Sequence, residues 1–93
     1  MISFVATLNV KPEQAAAFET AMQTVVPKVR QEPGNHAYIF HRSATTANTY
    51  YFYEQYTDED ALKAHRAHLG SLGINLAEML AAAPEIEHWE LIL

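Results

Sequence analysis

The chain has 93 residues, 49% hydrophobic and 11% aromatic, with a formal charge of −5 from 11 acidic and 6 basic side chains. A chain this short forms one domain, residues 1–93, and buries only about 60–65% of its unfolded surface, so the apolar excess points to a homo-oligomer. Scattered Lys and Arg argue against nucleic acid, the absence of Cys excludes disulfides and thiolate chemistry, and no run of about 18 apolar residues offers a membrane span.

The opening residues MISFVATLNVKP carry neither a basic start nor a long apolar run. No signal peptide is expected, and a cytoplasmic location is. Residues 2–10 alternate, with Ile2, Phe4, Ala6, Leu8 and Val10 on one face, which predicts a strand. Lys11-Pro12-Glu13 then opens a helix, since Pro suits the first helical position and Glu favours the positive end of the dipole. The stripe Ala15, Phe18, Met22, Val25, Val26 and Val29 carries that helix to about Gln31. Pro27 inside it is expected to kink or loosen the last turn. Glu32-Pro33-Gly34-Asn35 stops it, with Gly34 expected in the left-handed conformation.

Residues 36–42 alternate as a second strand, SATTAN at 43–48 is a polar turn, and Thr49–Tyr56 is a third strand. The third strand carries Tyr50, Phe52, Glu54 and Tyr56 on one face and Tyr51, Tyr53 and Gln55 on the other. Thr57 and Asp60 resemble a capping box for a second helix, which places Ala61, Leu62, His65 and Leu69 on one face. Gly70 and Gly73 are expected to break it. A further helical turn or two follows over Leu72–Leu80, and Glu85–Leu93 is the last strand.

The order βαββαβ predicts a ferredoxin-like α+β domain, a four-stranded antiparallel sheet with both helices on one face. Aromatic side chains line both faces of the third strand. One helical layer covers only one of them, so the other is expected to meet a second copy, sheet to sheet, as a homodimeric barrel.

Glu32-Pro33-Gly34 followed by Tyr38, then Tyr51-Phe52-Tyr53-Glu54-x-Tyr56, then Asp60-Ala61-Leu62 leading to Ala64-His65, resemble the antibiotic biosynthesis monooxygenase (ABM) domain of the dimeric α+β barrel superfamily. Val10-Lys11-Pro12 and Pro84-Glu85 also fit, and the resemblance spans nearly the whole chain. That family contains cofactor-free quinol and anthrone monooxygenases, haem-degrading enzymes, and an isomerase of a small phosphorylated signalling ketone. Members commonly carry Trp where Tyr56 stands, and haem degraders use it, so Tyr56 argues against haem degradation. Asn35 and the run Tyr53-Glu54-x-Tyr56-x-Asp58-Glu59-Asp60-Ala61 look closer to the isomerase branch.

The resemblance implies oxygenation of a small aromatic quinol-like substrate by molecular oxygen, without cofactor. The alternatives are isomerisation of a small hydroxyketone or a small-ligand-binding dimer without activity. The expected catalytic residues are His65, Tyr56 and Glu54. His65 lies on the apolar helix face, where burial keeps the ring neutral as a general base requires. Its ordinary alternative is a structural His bonded to a carbonyl or carboxylate. Glu54 can orient a His or pair with Arg66 or Arg42. The expected substrate-binding residues are Tyr38, Phe52, Leu62, His68 and Trp89, against core or interface packing as the alternative. His65-x-x-His68 can bring two rings to one metal, but no third ligand stands at fixed spacing, so no metal site is expected. His36, His41 and His88 read as plain strand residues.

Overall fold

The computed structural model describes all 93 residues. Strand β1 is Ile2–Asn9, α1 is Ala15–Arg30, β2 is Asn35–Arg42 and β3 is Thr49–Tyr56. Helix α2 is Glu59–Ser71, the short α3 is Leu76–Met79, and β4 is Glu85–Trp89. The sheet runs β2-β3-β1-β4, and every neighbouring pair is antiparallel. This is the ferredoxin-like α+β arrangement, with the helices on one face.

The period-two pattern decides which side chains meet the helices. Phe4, Ala6 and Leu8 of β1 and Tyr50, Phe52, Glu54 and Tyr56 of β3 are all buried there. Against them lies the α1 stripe of Phe18, Met22, Val25, Val26 and Val29. Helix α2 buries only Leu62 and His65. The registers align the inward residues into rungs across the sheet. Tyr38 opposes Glu54, Glu54 opposes Phe4, and Phe4 opposes His88. The next rung is Phe40, Phe52, Ala6 and Ile86.

Several local expectations are corrected. Pro12–Gln14 form a 3₁₀ turn, so α1 begins at Ala15. The helix then runs through Pro27 to Arg30. Pro27 is exposed, so the carbonyl it leaves without an amide partner meets water. The second helix is capped by Asp58, whose Oδ1 accepts from the Ala61 amide at 2.9 Å, and not by Thr57. Thr57 instead hydrogen-bonds the His36 ring at 2.7 Å. Gly70 stays inside α2, and the chain turns at Gly73, whose φ is +76°. The last strand stops at Trp89, which lies opposite Ser3 and leaves β1 almost no chain to pair with beyond it.

Gly34 is also needed for a different reason than expected. It has no left-handed φ; among residues with positive φ are only Asn48 and Gly73. A Cβ at Gly34 would collide with the Cβ of Ala61. The residue is therefore a point of close approach between the turn after α1 and the first turn of α2. That approach matters for the site, because it brings Glu32 against α2.

Candidate active site

Between sheet and helices lies a cavity of about 390 Å³, lined by 16 residues of which 11 are hydrophobic. Its floor is the two sheet rungs: Phe4, Glu54, Tyr38 and His88 from one, Phe52, Ala6 and Ile86 from the other. Leu62, His65, Arg66 and Leu69 of α2 form one side, and Phe18 and Met22 of α1 another. The polar groups gather at one end, as orienting groups in an apolar pocket do.

His65 is buried, with its Nδ1 3.1 Å from Glu32 Oε1 and 3.2 Å from Oε2. A carboxylate only accepts, so Nδ1 carries the proton and donates. The lone pair of neutral His65 is therefore on Nε2. That atom faces Glu54 Oε1 at 3.7 Å, beyond hydrogen-bond reach. The ring packs against Tyr56 at 4.9 Å and Tyr38 at 5.6 Å between centroids. Burial lowers the His65 pKa from its ordinary value, and Glu32 opposes that only in part. The pair is accordingly a hydrogen bond between a neutral imidazole and a carboxylate, and not a salt bridge.

Glu54 is the complementary case. Burial pushes its pKa up to about 7, while the Tyr56 hydroxyl, donating to Oε1 at 2.7 Å, pulls it back. The Glu32 charge adds to the rise and Arg66 opposes it. Burial also raises the phenol pKa values of Tyr38 and Tyr56, with the nearby Glu54 charge adding to both. Both phenols stay protonated donors.

Of the expected residues, His65, Glu54, Tyr38, Phe52 and Leu62 line the cavity. Tyr56 stands behind Glu54, fully buried, and reaches the cavity only through it. Two placements are corrected. Trp89 is 56% exposed on the opposite face of the sheet beside Tyr51, because it falls on the outward phase of β4. His88, next to it, takes the inward position and packs on Phe4 at 5.6 Å. His68 turns away from the cavity and gives its Nδ1 to Glu32 Oε2 at 2.7 Å. His65 and His68 thus converge on one carboxylate, and no group of three or more His, Cys, Asp or Glu side chains is arranged to hold a metal ion.

Glu32 is the residue that sequence reasoning missed as a site residue. It reads there as part of the helix stop and of the Glu32-Pro33-Gly34 motif, without a role in the site. The available signal is the pair of histidines three apart on α2 with no acidic partner on that helix. In a βαββαβ fold the end of the first helix closes on the start of the second, which is where Glu32 stands. In the sequence, Arg66 reads only as a possible partner of Glu54, and His88 only as a plain strand residue.

The family model for antibiotic biosynthesis monooxygenase matches residues 1–85. "Putative monooxygenase YcnE" of Bacillus subtilis (strain 168) is 32% identical over 93 residues, covering 98% of each chain. The crystal structure of a "putative antibiotic biosynthesis monooxygenase" from Caulobacter crescentus CB15 is 36% identical, with a TM-score of 0.87 over 99% of this chain and 90% of that one. PA3566 from Pseudomonas aeruginosa shares the fold at 23% identity, with a TM-score of 0.86 over 99% of this chain and 94% of that one. The chain belongs to the antibiotic biosynthesis monooxygenase family.

Proposed function

We propose that the chain is a monooxygenase that needs no cofactor and uses molecular oxygen on a small aromatic quinol-like substrate. The observation that carries this reading is His65, neutral, with Nδ1 occupied by Glu32 and Nε2 open toward an apolar cavity. Nε2 takes the proton of a substrate hydroxyl, and the electron-rich anion reacts with oxygen directly. Protonated at neutral pH in a good share of molecules, Glu54 donates to a substrate oxygen as charge develops there. Tyr56 holds that carboxyl in place. The balance is one quinol and one dioxygen to one hydroxylated quinone and one water. Tyr38, Phe52 and Leu62 supply the flat apolar walls.

The working unit in this reading is a homodimer formed sheet to sheet. Ile39, Tyr51 and Trp89 stand exposed on the outer face, where a second sheet would cover them.

One observation favours a second reading. His65 Nε2 and Glu54 Oε1 face each other at 3.7 Å, a separation that suits handing a proton between neighbouring atoms of a hydroxyketone. Oxygen decides between them. Oxygen uptake with a quinol, lost in His65→Ala, supports the monooxygenase, and unchanged uptake in that variant sinks the assignment. Turnover of a hydroxyketone under strict anaerobiosis supports the isomerase instead.

A further inference from the structure

A second, open depression lies on the far side of Glu32, lined by Lys28, Glu32, Asp60 and His68 among others. It shares no lining residue with the cavity. The wall between them is crossed by one continuous polar contact. Glu32, with a side chain only 11% exposed, holds His65 Nδ1 on the cavity side and His68 Nδ1 on the other. The His68 contact is the shorter, 2.7 Å against 3.1 Å. The His68 side chain is 34% exposed and the His65 side chain 6%. One carboxylate is therefore divided between a solvent-facing imidazole and a buried one.

We infer that His68 is a positioning residue for the reaction, acting through Glu32 to set how strongly His65 holds a proton. This rests on the reading of His65 as the base. When His68 is protonated, its charge draws on the carboxylate that would otherwise stabilise a His65 imidazolium, and His65 becomes the weaker base. When His68 is neutral, more of Glu32 is left to His65. The depression side thereby tunes a group that water on that side does not touch. The other groups facing His65 are Arg66 on α2, Tyr38 on β2, and Glu54 and Tyr56 on β3. Those facing His68 across the depression are Lys28 of α1 and Asp60 of α2. None of these contacts both histidines as Glu32 does.

The test needs no substrate. Ring nitrogen shifts of both histidines are followed by NMR against pH in the whole protein. His68→Ala changes a helix position whose side chain is 34% exposed and lies outside the buried core. It is expected to raise the His65 midpoint by about 0.5 to 1 pH unit. His68→Gln, which restores a neutral donor, is expected to fall between wild type and His68→Ala. A His65 midpoint unmoved in His68→Ala overturns the proposal, as does a His68→Gln value outside that interval. If oxygen uptake is found, its acid limb moves with the His65 midpoint. A limb that stays while the midpoint moves overturns the assignment of His65 as base and leaves the coupling standing.

Discussion

His65 and Glu32 lie 33 positions apart in sequence and 3.1 Å apart in space. The contact exists because the turn after α1 presses against the first turn of α2 at Gly34 and Ala61. It fixes which ring nitrogen of His65 bears the proton, and so which one can take another. The imidazole is aimed by a residue that never touches the cavity.

Glu32→Gln keeps an oxygen for Nδ1–H but removes the charge. The amide can also flip and present N–H, which would favour the wrong tautomer. Its expected effect is a fall of about tenfold or more in kcat, with KM within about twofold, given what general-base catalysis contributes. Steady-state kinetics checks the split. A rise in KM alone would place Glu32 in substrate binding.

Glu54 makes stability depend on pH. Its folded pKa, about 7, lies above its ordinary value of 4.5. The folded state therefore binds the extra proton between those values. The stability this contributes is fully present below about pH 4.5 and is lost as pH rises through about 7. The shift corresponds to a few kcal/mol, about 3 at most. His65 has the opposite sign. Its lowered pKa contributes stability above its ordinary value that is lost as pH falls. Glu54→Gln isolates the carboxyl: relative to wild type it is expected to gain about 2 kcal/mol between pH 5 and pH 8. Urea unfolding at both values measures it, and equal differences at the two pH values would refute it.

Gly34→Ala puts a methyl group onto the Ala61 Cβ. The helix and turn must separate, at a cost of about 1–3 kcal/mol. Ala61→Gly in the same chain is expected to return most of that loss. Urea midpoints of the two singles and the double complete the cycle. No recovery in the double would mean that the glycine serves some other need.

The outer sheet face carries the dimer expectation. Trp89→Asp with Ile39→Lys places charges where two sheets would meet, 56% and 45% exposed in the single chain. Sedimentation velocity is expected to show a dimer for wild type and a monomer for the double variant. A wild-type monomer at tens of micromolar would remove the sheet-to-sheet arrangement.

The strands and helices are legible in the sequence because their periods are strong. Alternation in YYFYEQY places Tyr50, Phe52, Glu54 and Tyr56 inward, and the 3.6-residue stripe from Phe18 to Val29 marks the core face of α1. The inward aim of His65 follows from Ala61, Leu62 and Leu69 around it. Pairwise chemistry is far less legible. That Glu32 joins two histidines depends on loop geometry after α1, which no local pattern encodes. His68 looks like a partner of His65 because the two are three apart on a helix, yet its ring swings to the other side. The phase of β4 also escapes. Trp89 is the larger and more tempting ring, and only the pairing of His88 with Phe4 shows which of the two turns inward.

The first of the two rungs in the cavity floor takes a residue from each of the four strands, and the four are not equally held. Strand β4 is five residues long, exposed throughout, and pairs with β1 alone. Strand β3 lies between two neighbours with four of its side chains sealed beneath the helices. Amides of β4 should exchange with solvent well before those of β3, since local opening costs least where little is buried. Ile86 and His88 ride on that releasable edge, so the wall they form can yield while Glu54, held by Tyr56, stays fixed.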